Sequence, residues 1–229
     1  MEIHLDQELY QIRQRLLEMG GRVEEMIAGA MSSLTERDSE QAQRIVEEDR
    51  LVDRLEKALD EACISIMATR QPTAGDLRFL VAVMKIVNDL ERMGDSAKNI
   101  AQAAIIINQE APLKPYIDLP HMARLARQMV HESLDSFVQR NAGLAREVWK
   151  RDDEIDALYH QLFRELLTYM IEDPKKAPRA LYLLLVAHNL ERIADHATNV
   201  CEDVVYYVEG QDMRHAATHY SEVQPEVAS

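Results

Sequence analysis

The sequence predicts an all-α protein, a tandem repeat of two antiparallel three-helix bundles with six long helices. Three observations point there. Its 229 residues include only 7 Gly, 7 Pro and 3 Phe against 11 Met and abundant Leu, Ala, Glu and Arg, a choice that favours helix over strand. The few breakers fall in clusters that cut the chain into long pieces. The pieces also repeat: the segment Asn88 to Ile100 lies over His188 to Val200 at an offset of 100.

The elements follow in order. Leu5 to about Glu36 reads as one helix, and the Arg37-Asp38-Ser39 step caps a second that runs to about Thr69. Gln71 to Asp76 is a connector, with Asp76 as the expected cap of a third helix reaching about Asn108. Glu110 to Tyr116 carries Pro112 and Pro115, and marks the boundary between a first unit of residues 1–110 and a second of residues 116–210. Helices four, five and six are expected over about 119–140, 142–172 and 177–209. Residues 211–229 lose the apolar periodicity and read as a poorly packed tail.

On the third helix, Leu80, Val83, Val87, Leu90, Gly94, Ala97, Ala101 and Ala104 recur in steps of three and four, a coiled-coil-like seam. Leu183, Ala187, Leu190, Ala194, Ala197, Cys201 and Val204 form the matching seam on the last helix. Gly94 and Ala194 at the centres let a neighbouring helix come close. Upstream the repeat offset is 103, pairing Met26 with Met129, Leu34 with Phe137, Arg37 with Arg140, Asp49 with Asp152 and Asp53 with Asp156. The three-residue difference falls in the second connector of each half, where length changes are tolerated.

With 40 Asp+Glu against 26 Lys+Arg, the net charge is −14, which repels phosphate backbones and anionic lipid and argues against nucleic acid as a direct partner. The opening MEIHLDQELYQI does not read as a secretory signal, and no stretch approaches the roughly 20 apolar residues of a membrane span. Cys63 and Cys201 belong to no CxxC pattern and read as small core residues in a reduced, cytoplasmic setting.

The chemistry concentrates in acidic ladders. Asp49 and Asp53, Glu91 and Asp95, Asp152 and Asp156, and Glu191 and Asp195 are each four residues apart on one helix face. A like-charged pair at this spacing opposes its helix by about 0.2–0.5 kcal/mol, so four pairs at matched places call for positive charge between them. Two sources are open. Arg92, Arg192 and Lys98 can neutralise the carboxylates as ordinary ion pairs. Alternatively, carboxylates from adjacent helices converge on a metal ion, the usual way helical bundles hold hard or borderline cations. Asn99 and Asn199 extend the ladders and are read as structural hydrogen-bonding residues. His160 and His196 lack counterparts in the first half and are given structural or exposed roles, and His188 is read as a core-edge residue.

LERMGDSAKNI and LERIADHATNV resemble the paired signature segments of the PhoU family, and Gln71 to Arg78 resembles that family's connector before the third helix. The likeness runs from about Ile3 to Glu209. It implies a cytoplasmic, homodimeric negative regulator of phosphate uptake and of the phosphate-starvation response. Its implied partners are the ATPase subunit of a phosphate ABC transporter and a sensor histidine kinase. It also implies iron or zinc bound on E/DxxxD motifs, here Asp49, Asp53, Glu91, Asp95, Asp152, Asp156, Glu191 and Asp195, with Mg or Mn admitted by the ligand type. No catalytic residue set and no cofactor-binding loop is expected. A helical di-iron enzyme is the first rival, and it is disfavoured because no Glu here has His three positions later. A metal-free helical adaptor is the second. A hydrolase or nucleotide binder lacks its Gly-rich loop or GxSxG turn.

Overall fold

The computed structural model describes residues 2–210, with side chains from residue 5, so the expected tail at 211–229 lies outside the described residues. α1 (Glu2–Thr35), α2 (Ser39–Thr69) and α3 (Ala74–Ile107) pack on one another as the first bundle. α4 (Asp118–Val138), α5 (Ala142–Trp149), α6 (Asp152–Glu172) and α7 (Ala177–Glu209) form the second, with a single 3₁₀ turn at Pro174–Lys176 before α7. No strand occurs among the described residues.

The bundles are joined lengthwise, α3 against α7 and α1 against α4. Every seam residue predicted on α3 and α7 is buried, because these two helices face neighbours on several sides. Full burial of a Leu such as Leu90 or Leu190 stabilises by about 1.5–3 kcal/mol. Phe79, Phe137 and Tyr207 meet at ring-centroid distances of 5.6, 6.1 and 5.5 Å and tie α3, α4 and α7 together. Lys114 in the Pro-bearing connector is pinned by ion pairs to Asp118 and Glu165.

The repeat extends to backbone detail. Arg37 and Arg140 both adopt left-handed backbone, with φ of 61° and 51°, where helices α1 and α4 stop. The next residue caps the following helix: Asp38 accepts from the Gln41 amide at 2.9 Å and Asn141 from the Leu144 amide at 3.0 Å. Ser33 and Ser136, also 103 apart, are buried and turn their hydroxyls onto the carbonyls of Ala30 and Ser133.

Two expectations are corrected. Thr73, not Asp76, is the N-cap of α3; Asp76 is its capping-box partner, accepting from the Thr73 amide at 3.1 Å. The predicted fifth helix is broken into α5 and α6. The Arg151 amide reaches back three residues to Val148 and the Glu154 amide to Arg151, so the chain tightens for a turn. Arg151 is held to Glu132 of α4 at 2.6 Å. Asp152, Asp153 and Glu154 then suit the new helix N-terminus, where the dipole favours negative charge.

Candidate functional site

The four acidic pairs come together two by two, Asp49 and Asp53 of α2 near Glu91 and Asp95 of α3, and Asp152 and Asp156 of α6 near Glu191 and Asp195 of α7. The close approach comes partly from Gly94: a Cβ there would stand 3.3 Å from Val52 Cγ1 of α2. Among the described residues, however, no three His, Cys, Asp or Glu side chains stand close enough, as placed, to hold an ion together.

In the first bundle the positive charge is intrinsic. Lys98 Nζ donates to Asp49 Oδ2 at 2.7 Å and to Asp95 Oδ1 at 2.9 Å, bridging α2 and α3. Asp49 is only 6% exposed, so this pair is drawn out of water. The hydrogen bond to Asp49 holds the Lys98 ammonium above its ordinary pKa. Arg92 Nε lies 3.3 Å from Glu91 Oε2, an ion pair without hydrogen-bond alignment, and Glu91 is raised in pKa by desolvation and then by Asp95. Glu56 and Asp53 add to that repulsion from α2, so Glu56 belongs to the cluster although the i,i+4 pattern did not select it.

The second bundle has no such ammonium. Lys98 corresponds to Thr198, whose hydroxyl donates to the Asp195 carbonyl oxygen at 2.7 Å. Asp152 Oδ1 is buried without a hydrogen-bond partner. Desolvation, then Asp195 and Asp156, push the Asp152 carboxyl up to about 6. Asp195 presents surface to solvent, yet partial desolvation and the charges of Glu191 and Asp156 raise it too. A group of carboxylates that resist ionising together has the hard, all-oxygen donor character that suits an added cation.

His188 and His196 lie near enough to Asp195 to lower its pKa through space, but neither is hydrogen-bonded to it. His196 Nδ1 donates to Asp89 Oδ1 of α3 at 2.8 Å. His188 is exposed rather than at the core edge, and donates to Glu191 at 2.8 Å. His160 is exposed beside the Tyr159 ring. Asn199 donates to Asp89 at 3.2 Å and Asn99 to Asn189 at 3.3 Å, two equivalent contacts that stitch α3 to α7, so their structural reading holds. Asp89, buried between bundles, is the residue sequence reasoning missed; the sole signal was an Asp in place of Asn189 within an apolar helix. Cys63 and Cys201 are buried free thiols, each pushed up to about 12, first by burial.

Residues 16–104 and 119–204 each match the PhoU domain model, which coincides with the two bundles. A PhoU homolog of the phosphate-specific transport system in Aquifex aeolicus is 44% identical over 211 residues, covering 92% of this chain and 96% of that protein. The accessory protein PhoU of Escherichia coli strain K12 is 40% identical over 210 residues, 91% of this chain and 86% of that one. The crystal structure of PhoU from Pseudomonas aeruginosa superposes with a TM-score of 0.87 at 40% identity, covering 90% of this chain and 99% of that chain. That of the phosphate transport system regulatory protein PhoU from Streptococcus pneumoniae gives 0.84 at 30% identity, with 91% and 99% covered. With two matching repeats, a shared fold and relatives at this identity over nine tenths of its length, the chain belongs to the PhoU family.

Proposed function

We propose that this protein restrains phosphate uptake and the phosphate-starvation response, acting by docking rather than catalysis. The observation that carries the reading is the duplicated PhoU repeat, at 40–44% identity to proteins named as accessories of a phosphate-specific transport system. In this reading it is a cytoplasmic homodimer that links the transporter's ATPase subunit to a sensor histidine kinase. A net charge of −14 steers it toward basic patches on those partners, an attraction that weakens as salt rises. No helix among the described residues is long and apolar enough to cross a membrane.

Asp152, Asp156, Glu191 and Asp195 are the residues that would hold iron, zinc or another divalent or trivalent ion, after side-chain rotation. Bound there, the ion would supply positive charge joining α6 to α7. The Lys98 bridge favours the metal-free reading for Asp49, Asp53, Glu91 and Asp95.

Deletion of the gene, read with a starvation-promoter reporter, tests the regulatory role. Expression in abundant phosphate is the expected result. Normal repression in the deletion strain overturns the assignment.

A further inference from the structure

Comparison of the two bundles separates what the repeat treats as equal. Asp49 and Asp95 in the first correspond to Asp152 and Asp195 in the second, but the residue between them changes from Lys98 to Thr198. The Lys98 ammonium already bonds both of its carboxylates, at 2.7 and 2.9 Å, and its own side chain is 28% exposed. A second cation entering there must displace a charge that is itself paired and half-desolvated. Thr198 instead satisfies its hydroxyl on its own helix and brings no charge. Arg151, next to Asp152, is committed to Glu132; His188 bonds Glu191, and it and His196 act on Asp195 only through space. Asp152 Oδ1 is left buried and without a hydrogen-bond partner.

We infer that Lys98 is the built-in counter-ion of the first bundle and closes it to exogenous cations, so that the second bundle alone is open to them. The open half of this statement rests on the metal reading proposed above; the closed half does not. The eight ladder carboxylates are thus two sites of different kind, one neutralised by the chain and one by solution.

The test uses the full chain stripped with chelator and titrated separately with Zn²⁺ and Mn²⁺, following bound metal by elemental analysis and stability by melting temperature. The wild type is expected to take metal at one bundle and to melt higher with it. The double variant Glu91→Gln/Asp95→Asn should retain the wild-type metal content. Thr198→Lys should weaken metal binding at least tenfold and raise the melting temperature of the metal-free protein, whereas Lys98→Met should lower that temperature and admit metal to the first bundle. Loss of half the wild-type metal in the double variant overturns the inference. If the wild type binds no ion, the metal reading fails. The counter-ion role then stands or falls on the metal-free melts: Lys98→Met low and Thr198→Lys high upholds it, and no change in either overturns it.

Discussion

His196 on α7 donates to Asp89 on α3 at 2.8 Å, a charged contact between the bundles at a place where the other repeat offers only Ser96 and Asn189. The two ends of this helix pair are therefore not equivalent, although the Asn199 and Asn99 contacts beside them are. His196→Ala leaves Asp89 buried with Asn199 as its remaining side-chain partner, and should cost about 1–3 kcal/mol by urea denaturation. Asp89→Asn should cost less, because it recreates the neutral arrangement found at Asn189. An equal or larger loss for Asp89→Asn would show that the neutral arrangement does not replace the Asp89–His196 contact.

The Asp152 carboxyl, pushed up to about 6 by burial and by its acidic neighbours, makes stability fall as pH rises. Below about pH 4 the group is protonated folded and unfolded alike, and no penalty exists; between about 4 and 6 the folded state holds the proton more tightly, and above 6 the penalty is complete. Asp152→Asn should therefore stabilise the metal-free protein by about 1–2 kcal/mol at pH 7 and by nothing near pH 4. Chemical denaturation at both pH values checks this.

His131 on α4 sits 3.0 Å from Glu24 on α1, and that hydrogen bond raises its pKa above the usual 6.5. The contact is present in full below the unfolded value and is lost as pH rises through the folded one. Because the side chain is 60% exposed, the effect on stability is small and salt-sensitive. The imidazole midpoint, followed by NMR, should fall toward 6.5 in Glu24→Gln; an unmoved midpoint would exclude the pairing.

Two helical glycines should answer differently to alanine. At Gly20 the new Cβ would overlap Cδ1 of the buried Leu134 side chain on α4, so Gly20→Ala should cost about 1–2 kcal/mol and loosen the α1–α4 contact. Gly94→Ala asks Val52 to yield only a few tenths of an ångström from 3.3 Å, and a gain of about 1 kcal/mol in helix propensity offsets that strain. Ala194 at the matching place already shows that alanine is accommodated in such a seam. Thermal melts of the two variants decide between these outcomes.

Residues 1–110 carry a complete three-helix bundle and should remain helical when expressed alone. The fragment should also self-associate, because Phe79 and the α7-facing side of α3 lose their cover. Circular dichroism and sedimentation read the two properties separately, and an unfolded fragment would show that the first bundle does not stand without the second.

The elements were legible in the sequence because helix periodicity and breakers act locally. The seams on α3 and α7, the cap at Asp38, and the equivalence of Arg37 with Arg140 all follow from short-range rules applied to a duplicated chain. The Lys150-Arg151 interruption was not legible. Neither residue breaks helices by propensity, and the break becomes visible only when Arg151 is seen reaching Glu132 on α4.

Sequence by itself determined the helical class, the duplication, the family and which carboxylates share a helix face, since each is a matter of residue type and spacing. Tertiary structure alone decided which charges those carboxylates meet. Lys98 is three residues from Asp95 and 49 from Asp49, yet it bonds both; Asp89 and His196 are 107 apart and touch. Coulomb and hydrogen-bond energies depend on distance through space and on exclusion of water, and neither is written in the spacing of one helix. That is why the repeat predicts matched acidic pairs in both halves, while in the folded chain Lys98 bonds Asp49 and Asp95 and its counterpart Thr198 bonds only its own helix.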